Sequence, residues 1–163
     1  MKIKNIVILI VLMLKLFTLH AHIHSDSDST KQSFKDRLRF FMGAGGQIGG
    51  PYSNFSLHPQ VGYQITPKFT TGIGANWQYF PYLTRNSSIY GGNAFARYLI
   101  RPSVFTQLEF QELNFNNQWQ EYAMVGLGTI QNRGVYIAAY YLLLYPSNNL
   151  YRAPYFIRFG MCF

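Results

Sequence analysis

The last strand-length segment of the chain alternates between two kinds of side chain up to its final residue. Counting back from Phe163, the apolar set is Met161, Phe159, Ile157 and Tyr155, and the set that holds the small and charged residues is Cys162, Gly160, Arg158 and Phe156. A period of two is the signature of a β-strand whose two faces meet different surroundings. Because similar alternation recurs along most of the chain, we predict an all-β fold made of short strands.

The composition favours a barrel that crosses a membrane over a water-soluble domain. The 163 residues suffice for one domain, and 12% of them are charged, about half of the ~25% of a typical soluble domain, whereas 18% are aromatic. Behind the leader, no segment offers the ~20 continuous apolar residues of a membrane helix. Apolar residues spread thinly over many strands are typical of a transmembrane β-barrel. A soluble barrel of lipocalin type would instead carry abundant Lys and Glu outside.

The N-terminus has the features of a cleavable signal peptide covering residues 1–21. Two lysines precede an apolar run that reaches Phe17, and cleavage is expected after Ala21. The alternative is an uncleaved anchor helix, although the run is shorter than a bilayer span. Residues 22–37 are expected to form a polar periplasmic lead-in with little fixed structure, and residues 38–163 to form the barrel.

Eight segments of the remaining chain have the length and pattern of strands. They are 38–48, 55–65, 69–80, 88–99, 104–113, 121–130, 135–145 and 154–163. Short links rich in Pro, Asn and Gly alternate with longer ones, which is the pattern of bacterial outer-membrane barrels. We therefore predict an eight-stranded antiparallel up-and-down transmembrane barrel with both termini in the periplasm. The longer links, at 49–54, 81–87, 114–120 and 146–151, would lie outside the cell.

The alternation also predicts which side chains fill the barrel. In the second and third strands one face is apolar, and the other carries mainly Ser, His, Gln, Asn, Thr and Gly. Arg97, Glu109 and Arg158 are expected to point inward as a polar network, with Arg97 paired to Glu109 and Arg158 as a third charge that can join them. Eight strands leave an interior just wide enough for side chains, so a solute-sized pore is not expected.

The segment 135–145 does not reveal its register, because it is apolar on both faces. Two interpretations remain open: the barrel interior is apolar there, or this part of the wall contacts another protein.

The stretch from Tyr90 to Phe110, which includes Phe-Ala-Arg-Tyr at residues 95–98, and the end of the chain from Arg158 to Phe163 resemble small OmpA/OmpX-like outer-membrane barrels. In particular, the chain is similar to the outer-membrane β-barrel domain common in Bacteroidetes, over residues 38–163. The resemblance implies that Phe163, as the terminal aromatic residue, belongs to the signal read by the barrel-assembly machinery. It implies no catalytic residue.

Two groups of residues are candidates for chemistry. Ser56 and His58 share one face near the outer end of the second strand, and Glu112 or Glu121 could complete a hydrolase triad of a lipid-modifying enzyme. Their alternative role is that of polar residues at the rim of the interior. No cofactor is expected.

The N-terminal lead-in offers a second candidate, for metal binding. If cleavage follows Ala21, then His22 and His24 with the free amine could bind Cu(II) or Ni(II), and otherwise they belong to a disordered tail.

The function expected from the sequence is that of a structural or partner-binding barrel in the bacterial outer membrane. Its partners would be outer-membrane lipids, the barrel-assembly machinery during biogenesis and a candidate envelope protein. The scattered basic residues behind a formal charge of +8 indicate no nucleic-acid patch. The alternatives are a lipid A deacylase or acyltransferase and a narrow pore. Aromatic residues flanking the strands are expected at the two membrane interfaces, with Trp77, Tyr79 and Tyr82 at the outer one and Tyr63, Phe69 and Phe163 at the inner one.

Overall fold

A closed barrel of eight antiparallel strands accounts for nearly all of the described part of the chain. The computed structural model describes residues 34–47, 54–81, 88–131, 134–144, 151 and 154–163. The strands are β1 (Leu38–Gln47), β2 (Asn54–Thr66), β3 (Phe69–Tyr79), β4 (Ser88–Arg101), β5 (Val104–Phe115), β6 (Gln118–Ile130), β7 (Val135–Leu144) and β8 (Tyr155–Cys162). Each strand pairs with its neighbours in sequence, so the predicted all-β, eight-stranded, up-and-down topology is confirmed.

The first and last strands close the barrel against each other. Their register runs from Phe41 opposite Cys162 to Gly46 opposite Ile157. Beyond it, Phe40 and Phe163 exchange two backbone hydrogen bonds of 2.8 and 3.2 Å. Closure gives both edge strands a partner, so the backbone donors and acceptors along this seam are satisfied within the sheet.

The ends of the barrel differ in how their strands are joined. At the end where β1 begins and β8 ends, which we call the terminal end, two-residue turns at Pro67–Lys68 and Pro102–Ser103 join the strands. The opposite end, which we call the far end, holds the longer links. Of these, residues 48–53, 82–87 and 145–150 lie outside the described part, and Tyr82 lies there with them.

The predicted long link at 114–120 is wrong. β5 continues to Phe115, β6 begins at Gln118, and only Asn116 and Asn117 lie between them. Both asparagines have positive φ, 52° and 62°. Two consecutive residues with positive φ make a type I′ hairpin turn, which asparagine tolerates better than other non-glycine residues.

The lead-in ends in a short 3-10 helix at Phe34–Arg37. The ring of Phe34 stacks on that of Tyr63 at 5.2 Å, so the last four residues of the predicted unstructured lead-in are structured. Residues 1–33 lie outside the described part, and the expectations for the signal peptide, His22 and His24 lie there with them. Among the described residues, no helix is long and apolar enough to cross a membrane.

Side chains on the two faces of the wall follow the alternation that the sequence predicts. Inward residues such as Asn76, Gln107 and Arg158 are buried, and outward residues such as Ile73 and Phe159 are exposed. On β7 the register is now defined: Tyr136, Ala138, Tyr140 and Leu142 point inward and are buried. The first of the two interpretations of this strand, an apolar interior at that position, is confirmed.

The interior therefore has a region rich in polar side chains and a region rich in apolar ones, and Ile89, Phe95, Phe105 and Leu113 of β4 and β5 are buried apolar residues beside the polar region. We call the buried polar residues of β2–β5 the polar wall: Ser56, His58, Gln60, Asn76, Gln78, Asn93, Arg97, Gln107, Glu109 and Gln111. We call the buried apolar residues of β6–β8 the aromatic wall: Tyr122, Met124, Tyr136, Ala138, Tyr140, Leu142 and Phe156.

Inward glycines make room for the large residues that fill this narrow interior. A Cβ on Gly126 would lie 2.5 Å from the ring of Tyr140, and one on Gly160 would lie 2.5 Å from the ring of Tyr136. On the other side, a Cβ on Gly72 would lie 2.8 Å from the ring of Phe95. Each ring therefore lies against bare backbone, and the interior is packed by pairing large residues with glycine.

Candidate functional site

The centre of the polar wall is the carboxylate of Glu109, on β5. Arg158 reaches it from β8, with Nη1 2.7 Å from Oε2 and Nη2 3.3 Å from Oε1. Both side chains are almost fully buried. Two parallel contacts between a guanidinium and a carboxylate give a charge-assisted pair with fixed geometry, so this pair ties β5 to β8 across the barrel.

Three amide side chains of the polar wall complete the shell around Glu109. Asn93 donates to Oε1 at 2.7 Å, and Gln107 and Gln60 donate to Oε2 at 2.8 and 3.4 Å. With Arg158, five donors point at one carboxylate. A carboxylate surrounded in this way is suited to holding a structure in place, because few of its lone pairs remain to accept a proton from a substrate.

The predicted ion pair between Arg97 and Glu109 is wrong. On the β4–β5 ladder the residue opposite Arg97 is Gln107, and the residue opposite Glu109 is Phe95. Arg97 accordingly donates from Nε to Gln107 Oε1 at 2.8 Å, and Gln107 in turn donates to Glu109. All three residues predicted for the interior network are inside the barrel, but Arg97 joins Glu109 only through this amide.

Both interior arginines also contact aromatic rings. The guanidinium of Arg97 lies 4.3 Å from the ring centroids of Phe41 and Phe105 and 5.0 Å from that of Tyr136. The guanidinium of Arg158 lies 4.5 Å from the ring centroid of Tyr140. Rings at these distances attract a cation through their electron-rich faces, so the surroundings of each guanidinium partly replace the water it loses.

The structure brings together two of the four catalytic candidates and adds a residue that the sequence reasoning missed. Ser56 Oγ lies 2.8 Å from His58 Nε2, and His58 Nδ1 lies 2.6 Å from Asn76 Oδ1. Because an amide oxygen only accepts, Nδ1 carries the proton and Nε2 accepts from the serine hydroxyl. Asn76 could have been found from the register, since Leu57 opposite Trp77 places Asn76 beside His58.

The two glutamates are elsewhere. Glu112 and Glu121 face each other across the β5–β6 ladder on the outer surface of the barrel, so neither reaches His58. The carboxylate expected to complete the triad is therefore replaced by the amide of Asn76. Asn76 is itself held by a donor from Asn93 at 3.2 Å and donates to Gln111 at 3.0 Å.

Tyr151 fills the far end of the interior. Its ring packs on Tyr122 and Phe156 of the aromatic wall, with centroid separations of 5.2 and 5.8 Å. Its hydroxyl donates to Gln78 Oε1 at 2.8 Å and accepts from Gln111 Nε2 at 2.9 Å on the polar wall. Burial raises the pKa of Tyr151 to about 12, so the phenol keeps the proton that it donates.

The residues expected at the two membrane interfaces lie near the ends of their strands. Trp77 and Tyr79 are exposed on the outer surface near the far end, and Phe163 is 70% exposed at the terminal end. Tyr63 and Phe69 are half-buried there. In the described ranges, no three His, Cys, Asp or Glu side chains come together as metal ligands do.

No protein-family model, curated protein or solved structure matches the chain. The resemblance to small OmpA/OmpX-like barrels therefore stays a prediction, and only the barrel's own residues indicate its function.

Proposed function

We propose that this barrel is a structural or partner-binding protein of a bacterial outer membrane, inserted with both termini in the periplasm and without a solute-sized pore. The observation that carries the proposal is the outer surface. Every strand exposes large apolar side chains there: Phe40, Phe55, Ile73, Tyr90, Leu108, Leu127, Ile137 and Ile157 are examples from β1 to β8. Continuous apolar surface of this extent is unfavourable in water and matches a hydrocarbon surrounding.

The distribution of outward polar side chains supports the same location. The exposed basic residues Lys68 and Arg101 lie at the terminal end, and Glu112 lies three residues from the end of β5 at the far end. Between the two ends, the described outward positions are mainly apolar or small. A membrane barrel needs this arrangement, because an Arg or Lys facing lipid at the bilayer midplane costs about 2–4 kcal/mol.

The filled interior supports a scaffold over a channel. Arg158, Glu109 and the surrounding amides span the barrel from β8 to β4, and Tyr151 packs above them. Any solute would have to displace a network of charge-assisted hydrogen bonds. Bilayer conductance of the purified protein is the direct test, and stepwise currents would favour the narrow pore instead.

Membrane insertion can be tested with a matched pair of variants. Produced with its leader in a Gram-negative host, the protein should fractionate with the outer membrane and change gel mobility on heating. Leu127→Arg, in the middle of the outer surface, should lower the yield of folded protein. Gln131→Arg, exposed beside the terminal-end turn, should leave it unchanged. Equal behaviour of the two variants would contradict the proposal.

The assembly role of Phe163 needs a separate measurement. We expect Phe163→Ala to slow the appearance of the folded form in cells, through weaker recognition by the barrel-assembly machinery. Refolding of the purified variant in detergent should stay close to normal, because the ring is exposed and the backbone bonds to Phe40 remain. A variant that assembles at the normal rate in cells would contradict this role.

A second candidate function is supported by the chain of hydrogen bonds through Ser56, His58 and Asn76. A serine next to a histidine that is oriented by an amide is an arrangement that can act in acyl transfer. These residues face the interior rather than lipid and are nearly fully buried, which favours a packing role. Labelling with a fluorophosphonate that disappears in Ser56→Ala, together with altered lipid A chains after gene deletion, would establish the enzyme.

A further inference from the structure

Pro59 interrupts hydrogen bonding in the middle of the barrel wall. The β2–β3 register passes through Leu57 opposite Trp77 and resumes at Gln60 opposite Gly74, so His58 and Pro59 have no registered partners on β3. On the other side of the strand, Pro59 stays in register opposite Met42. Proline has no backbone N–H and is rare inside a sheet for this reason. The missing donor thus faces β3.

A side-chain contact spans the same interruption from the inside. His58 on β2 and Asn76 on β3 would be partners if the register continued, and their side chains are joined by the 2.6 Å hydrogen bond. The wall is therefore held together there by interior side chains as well as by the flanking ladder bonds.

On the outer surface, a groove of about 440 Å³ lies over the interruption. Side chains that line it include Met42, Pro59, Val61, Ile73, Ala75 and Phe163. Gly74 contributes only backbone to its floor, and Ala75 contributes a single methyl group. The groove is thus apolar and has the size of a small-molecule site, about 300–1,000 Å³.

We propose that this groove binds one acyl chain of a membrane lipid, an inference that depends on the proposed membrane location. Ten residues line the groove, whereas a stable protein interface engages about 20–30 residues on each side. The patch is therefore too small for a second copy of the chain. Its position along β2, between Phe55 and Tyr63 on the outer surface, lies in the proposed hydrocarbon region, apart from Phe163 at its edge toward the inner interface, and acyl chains are the available occupant there.

A second groove on the same barrel provides the control. It measures about 300 Å³ and lies over β6 and β7, where Leu127, Gly128 and Thr129 all keep registered partners. Both grooves contain an outward alanine, Ala75 in the first and Ala139 in the second. Only the first has an interrupted ladder beneath it, and the variant Pro59→Ala separates that feature from the difference in volume.

The test is photolabelling in phosphatidylcholine vesicles that contain a phospholipid with a diazirine in the middle of one acyl chain. Adducts are mapped by mass spectrometry of peptides. We expect adducts on Met42, Ile73 and Ala75 to exceed those on Leu127, Ile137 and Ala139 by at least about fivefold, the ratio produced by ~1 kcal/mol of selective binding. Ala75→Phe should remove the excess, whereas Ala139→Phe should not. Ile73→Trp is a second way to fill the groove.

Pro59→Ala should also reduce the excess, because alanine supplies the missing N–H and the ladder can continue. Equal labelling of the two grooves in vesicle-bound protein would contradict the acyl-chain site but not the proposed membrane location. Cross-links between two copies at the same residues would replace the lipid with a second chain. Failure of the protein to sediment with the vesicles would instead refute the membrane location and the acyl-chain site with it.

Discussion

The two walls of the interior solve the same packing problem with different chemistry. On the polar wall, Glu109 is surrounded by hydrogen-bond donors from three neighbouring amides. On the aromatic wall, Tyr140 and Phe156 stack on each other at 5.3 Å with their planes nearly parallel. Arg158 connects the two walls. Its guanidinium lies beside Tyr140 of the aromatic wall and binds Glu109 of the polar wall.

This comparison shows how a buried charge can be retained in a narrow barrel. Removing an arginine from water has a large free-energy cost, which a single partner rarely offsets. Here the carboxylate of the opposite wall supplies the counter-charge, and the aromatic rings supply a polarisable surrounding. The ion pair between Arg158 and Glu109 therefore joins the two walls, and we expect its loss to lower the stability of the fold more than any other single change considered below.

The largest expected effect comes from removing the counter-charge. We expect Glu109→Gln to lower the free energy of unfolding by about 3–5 kcal/mol, because it leaves Arg158 buried without a counter-charge. Urea unfolding of the protein in detergent micelles measures it. Glu112→Gln, which removes an exposed carboxylate three residues away on the outer surface, should change the stability by less than about 0.5 kcal/mol. Similar losses in the two variants would contradict the central role of Glu109.

Double-mutant cycles can distinguish the two arginines. For Glu109→Gln with Arg158→Met we expect a coupling energy near the upper part of the 0.5–3 kcal/mol range, about 2–3 kcal/mol, because the two side chains are in direct contact. For Glu109→Gln with Arg97→Met we expect about 1 kcal/mol or less, since Gln107 lies between them. Stronger coupling to Arg97 than to Arg158 would restore the pairing predicted from the sequence.

The aromatic wall should be sensitive to volume instead of charge. Gly126→Ala places a methyl group against the ring of Tyr140, and we expect a loss of about 1–3 kcal/mol from overpacking. Gly92→Ala is the matched control, because a Cβ there would meet only the backbone oxygen of Gly74 at 3.7 Å. The smaller side chain of Tyr140→Leu should partly rescue Gly126→Ala. Equal losses at Gly92 and Gly126 would show that backbone conformation, not the ring, is responsible.

The same difference between the walls explains what the sequence could predict. On β2 and β3 the sequence shows which residues point inward, because the interior side chains are polar and the outer ones apolar. Gln60, which points inward, and Val61, which points outward, are an example. On β7 both surroundings are apolar, so Tyr140 and Tyr141 look equivalent in the sequence although only Tyr140 is buried. The existence of eight strands and the inward position of the charges followed from the pattern, whereas the register of that strand required the structure.

The hydrogen-bond partners of Glu109 and Arg97 could not be predicted, because they depend on the register between strands, which the pattern within one strand does not contain. Placing Glu109 beside Arg158 requires the register of the whole closed sheet, since β5 and β8 are not neighbours. The pairing of Arg97 with Gln107 required the β4–β5 register to within one residue pair. The Asn116–Asn117 turn, by contrast, had a readable signal, because two adjacent asparagines favour positive φ.

The smallest expected effect is at Tyr151, where the two walls meet. Its ring contacts the aromatic wall and its hydroxyl the polar wall, so the two contributions can be separated. Tyr151→Phe keeps the ring and removes the hydroxyl with its two hydrogen bonds, and we expect a loss of about 1–2 kcal/mol in urea unfolding, since each such bond usually contributes about 1 kcal/mol or less.

Tyr90→Phe is the control for this variant, because that side chain is 63% exposed on the outer surface of β4. It should have no measurable effect. Tyr151→Leu removes the ring stacking as well and should cost more than Tyr151→Phe, by about 0.5–1.5 kcal/mol for the lost aromatic contacts. If the Phe and Leu variants are equally destabilised, Tyr151 is held by Gln78 and Gln111 alone. If only the Leu variant is destabilised, Tyr151 is held by its ring contacts with the aromatic wall, and its hydrogen bonds to Gln78 and Gln111 do not contribute to stability.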